Sequence, residues 1–136
     1  MSYPITDIDG IDDEAAAILK SVGIRSTERL LEAARTVRGR KMLAIKTGFD
    51  EKRLLCWANV ADRMRVKGIR KEYAELLQAA GVDTVKELKY RNPANLAYAM
   101  AEANKKRKMV RLLPSEKVVG IWIENAKKLQ LKISYK

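Results

Sequence analysis

The sequence predicts an all-α protein made of two tandem four-helix halves, residues 1–65 and 66–136. Three observations predict it: an internal repeat, apolar residues at helical spacing, and capping residues that alternate regularly with glycines. Ile8 to Leu30 superposes on Val66 to Leu88 at a shift of 58, laying Gly10 on Gly68, Ala16 on Ala74, Leu19 on Leu77, Gly23 on Gly81 and Leu30 on Leu88. A shift of 65 then lays Asp50 on Ser115, Trp57 on Trp122 and Ala61 on Ala126. The halves read as copies of one block, packed as a single compact unit.

Met1 to Thr6, with Pro4 disfavouring helix before it, reads as an arm. Asp12 caps the first helix, which carries Ala15, Ala16, Ile18, Leu19 and Val22 inward and ends at Gly23. The carboxylates Asp7, Asp9, Asp12, Asp13 and Glu14 around Gly10 are read as a cap and dipole complement, not as a metal site. Ser26 caps the second helix, whose apolar face continues to Gly39; the basic stretch Arg35 to Lys41 around that glycine is expected to be a solvated loop. A short third helix follows over Met42 to Thr47, and Asp50 caps a fourth from Glu51 to about Arg65, with Cys56 and Trp57 expected in or near the core.

The second half repeats this order. Val66-Lys67-Gly68-Ile69 leads into a helix from about Arg70 to Ala80, Thr84 and Glu87 form a capping box, Asn92-Pro93 opens the seventh helix and Ser115 the eighth. Leu43-Ala44 matches Leu96-Ala97 at a shift of 53, so about twelve extra residues enter before Ser115. They include Lys105, Lys106, Arg107, Lys108 and Arg111, and the tail from Leu131 to Lys136 alternates apolar and polar residues as a short extended edge or a loose end.

Composition narrows the chemistry. The chain has no histidine and one cysteine, which excludes a Ser-His-Asp triad, a Cys-His dyad and a structural zinc site within it. No carboxylate spacing supports metal or cofactor chemistry, so neither an enzyme nor a small-molecule substrate is expected. No apolar run approaches the roughly 18 residues of a membrane helix, the acidic N-terminus lacks a signal-peptide pattern, and the lone Cys56 fits a reducing compartment; a cytoplasmic protein is expected. The formal charge of +11 is uneven: residues 66–136 hold 16 Lys and Arg against 7 Asp and Glu, residues 1–65 hold 12 against 10. That asymmetry directs the second half to an anionic partner, nucleic acid before membrane.

Each copy places a hydrophobic-x-Gly-hydrophobic turn before a helix and a second Gly-hydrophobic turn after it, the grammar of a helix-hairpin-helix unit. Amides at such a turn, with a helix dipole behind them, bind phosphate oxygens without reading a base. Gly68-Ile69 with Ala74 resembles the helix-hairpin-helix superfamily of DNA repair and recombination proteins, in which the pattern is Gly-hydrophobic-Gly with a small residue four on. Both copies depart from it at the second glycine, occupied by Asp12 and Arg70. Over residues 8 to about 130, including Thr47-Gly48-Phe49, Leu55-Cys56-Trp57 and the stretch from Tyr73 to Leu88, the chain resembles a bacterial domain-of-unknown-function family related to tandem helix-hairpin-helix, SAM-like helical proteins. That resemblance implies an all-helical fold and supplies no activity.

The expected function is sequence-independent binding of nucleic-acid backbone, DNA before RNA. Lys67, Gly68, Ile69, Arg70 and Lys71 form one phosphate path, and Lys105, Lys106, Arg107, Lys108 and Arg111 another. The alternative is a protein-interaction or scaffolding module that docks an acidic partner.

Overall fold

Helix starts, more than apolar stripes, organise this chain. The computed structural model describes residues 2–136, and among them eight α-helices form and no strand. Seven of the eight begin on a side chain that accepts a hydrogen bond from a first-turn amide: Asp12, Ser26, Thr36, Asp50, Thr84, Asn92 and Ser115. Each such cap satisfies a donor the helix leaves over, for about 1 kcal/mol. The chain divides into two compact units, Met1–Asp62 with Lys132–Lys136, and Arg63–Leu131.

In the first unit α1 (Asp13–Ser21), α2 (Thr27–Ala34), α3 (Val37–Thr47) and α4 (Glu51–Arg63) follow a short 3₁₀ turn at Ile5–Asp7. Ile5, Ile8, Leu19, Leu30, Leu31, Leu54, Trp57 and Ala58 are buried and make its core. The expected arm begins at Met1, which lies outside the described residues. From Tyr3 onward the segment is tied down: the Tyr3 N–H donates to Thr27 Oγ1 at 3.0 Å, the Thr27 N–H donates back to the Tyr3 carbonyl at 2.7 Å, and Pro4 bridges Ser26 in antiparallel fashion. Burial of Ile5 and Ile8 holds it there, so the segment is a strap and not an arm.

Two further expectations fail in this unit. The second helix stops at Ala34 instead of reaching Gly39, because Thr36 turns the chain and caps a new helix, its Oγ1 accepting from the Gly39 N–H at 2.9 Å. Gly39 then lies inside α3, where a Cβ would sit 2.4 Å from the Ala33 carbonyl oxygen; its lack of a side chain lets α2 and α3 approach. Nor is Arg35 to Lys41 a solvated loop. Arg40 is buried, donating from Nη1 to the Ala34 carbonyl (2.9 Å) and from Nη2 to the Ser134 carbonyl (2.7 Å). Burial lowers the guanidinium pKa from its ordinary value, and Tyr135 and Glu51 partly oppose that. Cys56, expected near the core, is exposed, while Trp57 beside it is buried.

The tail closes the first unit. The Ser134 N–H donates to the Arg35 carbonyl at 2.7 Å, Lys132 Nζ pairs with Glu32 at 2.7 Å, and the Tyr135 hydroxyl reaches Asn59 Oδ1 at 2.9 Å. Residues 132–136 therefore make extended contacts without forming a strand.

The second unit comprises α5 (Lys71–Ala79), α6 (Val85–Lys89), α7 (Pro93–Lys106) and α8 (Glu116–Lys127). Its core holds Val66, Ile69, Leu76, Leu77, Val82, Leu88, Leu96, Met100, Val119, Trp122 and Ile123, and α8 packs on both α6 and α7. Arg63 is buried too: its Nε donates to the Ala74 carbonyl at 3.1 Å and its Nη1 to the Asp83 carbonyl, joining α5 to the turn before α6. The cap forms as read, the Glu87 N–H donating to Thr84 Oγ1 at 3.0 Å, and Glu87 reaches back to the Thr84 hydroxyl, its Oε1 accepting from Oγ1 at 3.1 Å.

Candidate nucleic-acid interface

The turn ahead of α5 is built around a glycine that makes room for a tryptophan. Gly68 has a φ of +97°, and a Cβ on it would lie 2.8 Å from Nε1 of Trp122. Asn125, one turn further along α8, donates from Nδ2 to the Lys67 carbonyl at 3.3 Å. The Ile69 side chain is fully buried, and its N–H donates to the Val66 carbonyl at 3.0 Å. Gly68 and Ile69 thus serve packing first, and the Ile69 amide is already occupied.

What the turn presents outward is the start of α5. Lys67, Arg70 and Lys71 are exposed. The N-cap is Arg70, whose side chain makes no capping hydrogen bond, whereas Asp12 at the start of α1 accepts from the Ala15 N–H at 2.8 Å. The first intrahelical bond of α5 runs from the Ala74 N–H to the Arg70 carbonyl at 2.8 Å, so the Lys71, Glu72 and Tyr73 amides precede it. A helix N-terminus carries a positive partial charge, and Lys67 and Lys71 beside it work against that dipole by a few tenths of a kcal/mol each. A bound anion would relieve the conflict. Glu72, exposed in the same turn, is the one acid there.

The basic insertion is an ordered loop. Lys105 and Lys106 finish α7, and the chain then folds around Asn104, whose Oδ1 accepts from the Met109 and Val110 amides at 2.8 and 3.1 Å and whose Nδ2 donates to the Val110 carbonyl at 3.2 Å. Val110 is buried as a plug, which leaves Lys105, Lys106, Arg107, Lys108 and Arg111 exposed. Lys105 pairs with Glu102 at 3.3 Å.

The basic loop borders the first turn of α5, though Lys67, Arg70 and Lys71 do not line the cleft between them. A cleft of about 580 Å³ is lined by Glu72 from α5 and by Asn104, Lys105, Lys108 and Arg111 from the loop. The Tyr73 hydroxyl donates to the Leu112 carbonyl at 3.0 Å, and its ring lies 5.1 Å from that of Trp122. Trp122 therefore backs the glycine turn and, through Tyr73, the loop as well. Nothing in the sequence marks Tyr73 for this. Asn104 had a weak signal, an amide side chain just ahead of a basic run.

A family model described as a domain of unknown function, DUF4332, matches residues 9–129. The chain belongs to the DUF4332 family. No curated protein and no solved structure is significantly similar to it. The DUF4332 match takes in Gly10, Trp57, Gly68, Trp122 and the whole 105–111 loop, and stops short of Ser134 and the tail. Among the described residues no helix is long and apolar enough to cross a membrane.

Proposed function

We infer that this DUF4332 protein binds nucleic-acid backbone through its second unit, without reading bases and without catalysing a reaction, duplex DNA being the expected ligand. One observation carries the reading: the helix start without a side-chain cap is the one that bears Lys67, Arg70 and Lys71, and its first turn, through Glu72, borders the cleft lined by Lys105, Lys108 and Arg111. A helix start without a side-chain cap leaves first-turn amides to which a phosphate oxygen can bond. The second unit also holds the charge, 16 Lys and Arg against 7 Asp and Glu over residues 63–131.

The same reading treats each unit as a pair of helix-hairpin-helix elements descended from one duplicated block. Supporting it, backbone bonds recur at the shift of 58: Ile11 N–H to Ile8 O and Ile69 N–H to Val66 O, Ala16 to Asp12 and Ala74 to Arg70, Ile24 to Leu19 and Val82 to Leu77. Gly10 also has a positive φ, +91°, and faces the Trp57 indole nitrogen as Gly68 faces that of Trp122. The first copy fills its helix start with the Asp12 carboxylate, which would repel a phosphate.

A second reading, a protein-interaction module docking an acidic partner, draws on the packing role of Gly68 and on the exposure of Leu112 and Leu113 beside the basic loop. Titration with duplex DNA decides between them. Binding with Kd on the order of 10⁻⁴–10⁻⁶ M and a log-log salt slope of about −3 to −5 is expected. Charge reversal at Lys67, Arg70 and Lys71, or at Lys105, Lys108 and Arg111, weakens it while reversal at Lys20 and Lys52 does not. No binding even at low salt leaves the protein-interaction reading.

A further inference from the structure

The second unit carries another cationic groove, with an exposed aromatic ring at its end. A cleft of about 550 Å³ is lined along α8 by Lys117, Lys127 and Lys128 and on the other side by Arg91. It adjoins a second cleft of about 510 Å³ formed by Lys89, Tyr90, Arg91 and Lys127, since Arg91 and Lys127 line both. None of these residues lines the cleft between α5 and the 105–111 loop.

The groove's form follows from its parts. Positions 117, 120, 121, 124, 127 and 128 recur on one face of α8, and from Lys117 to Lys128 that face runs about 16 Å. Gly120 has no side chain to fill the middle of the groove, and Pro93 passes over it, 3.8 Å from where a Cβ would stand. Lys89 is anchored by a bond from Nζ to the Leu129 carbonyl at 3.2 Å. Tyr90, at the end of α6, is 80% exposed, so the face of its ring is open to a ligand. Glu124 is the one acid in the cleft, and it is paired with Lys127 at 3.1 Å.

We propose that this groove binds single-stranded nucleic acid, with Arg91, Lys117 and Lys128 along the phosphates and an unpaired base stacked on Tyr90. The cations attract the phosphates of either form, and the ring decides between them: in a duplex the base faces are stacked on one another, whereas a single strand offers them to an aromatic side chain. Cations tracking the backbone with an aromatic platform beside them is the combination that holds unpaired strands without regard to sequence. The proposal extends the nucleic-acid reading to a second surface and rests on it for the ligand class.

The test measures binding of the full chain to fluorescent dT oligonucleotide and to blunt duplex in parallel. Tyr90→Ala weakens dT binding about tenfold and leaves duplex binding unchanged, Tyr90→Phe keeps the wild-type value because the ring face is retained, and Glu124→Gln tightens dT binding about twofold. Charge reversal at Lys105, Lys108 and Arg111 acts mainly on the duplex. Duplex binding with no effect of Tyr90→Ala on dT overturns this proposal alone, and equal competition by base-free polyphosphate against both forms does the same. Absence of binding to either oligonucleotide overturns the parent reading together with it.

Discussion

Gly68 and Trp122 are in contact that leaves no space for a methyl group: a Cβ on the glycine would stand 2.8 Å from the indole Nε1 and 3.2 Å from Cδ1. In the first unit the matching separation, from Gly10 to Trp57 Nε1, is 3.4 Å. Both glycines have positive φ, a conformation that disfavours any L side chain by about 1–2 kcal/mol. Gly68→Ala adds overpacking to that strain, so it is expected to lower stability by about 2–4 kcal/mol, against about 1–2 for Gly10→Ala. Denaturant midpoints check the ranking; equal losses would mean that the Trp122 ring swings aside.

Gly39 makes the opposite prediction from its helical position. Alanine in a helix interior is ordinarily better than glycine by up to about 1 kcal/mol. Here the added Cβ meets a backbone oxygen, Ala33 O, at 2.4 Å, and a carbonyl in the preceding helix cannot rotate away as a side chain would. Gly39→Ala is expected to destabilise by about 1–3 kcal/mol, measured by thermal unfolding. A rise in midpoint would show that the α2–α3 turn yields freely.

Asn104 separates structure from charge in the basic loop. Asn104→Ala removes three hydrogen bonds to Met109 and Val110, a local loss of about 1–3 kcal/mol, and limited proteolysis between Lys105 and Arg111 accelerates. Asn104→Asp keeps the Oδ1 acceptor for the Met109 and Val110 amides and puts an oxygen in place of the Nδ2 donor to the Val110 carbonyl, so its cleavage rate lies between the two. Protection equal to wild type in Asn104→Ala would place the order of the loop in Val110 burial alone.

Local chemistry made most of the fold legible. Asp12, Ser26, the Thr84-Glu87 box, Asn92-Pro93 and Ser115 each announce a helix with their own side chains, and each does what its position says. Thr36 was obscured by Gly39, since glycine three residues on normally signals an end and not an interior. Arg40 was beyond reach for a different reason: the Ser134 carbonyl that holds it lies 94 positions away. Distance along the chain hides the groove at Tyr90 too, since it takes Arg91 from just beyond α6 and Lys127 from the last turn of α8. Exposure of Lys67, Arg70, Lys71 and the 105–111 cations followed from their charge, but the inward turn of the Ile69 amide depended on three-dimensional backbone geometry.

Because residues 132–136 belong with Met1–Asp62, the second unit is threaded into the first as an insert. The first unit therefore lacks the second acceptor for Arg40 until Ser134 is made, after the whole of Arg63–Leu131. A chain cut after Leu131 leaves that guanidinium with the Ala34 carbonyl and without its second acceptor. The unit made earliest is the one completed last.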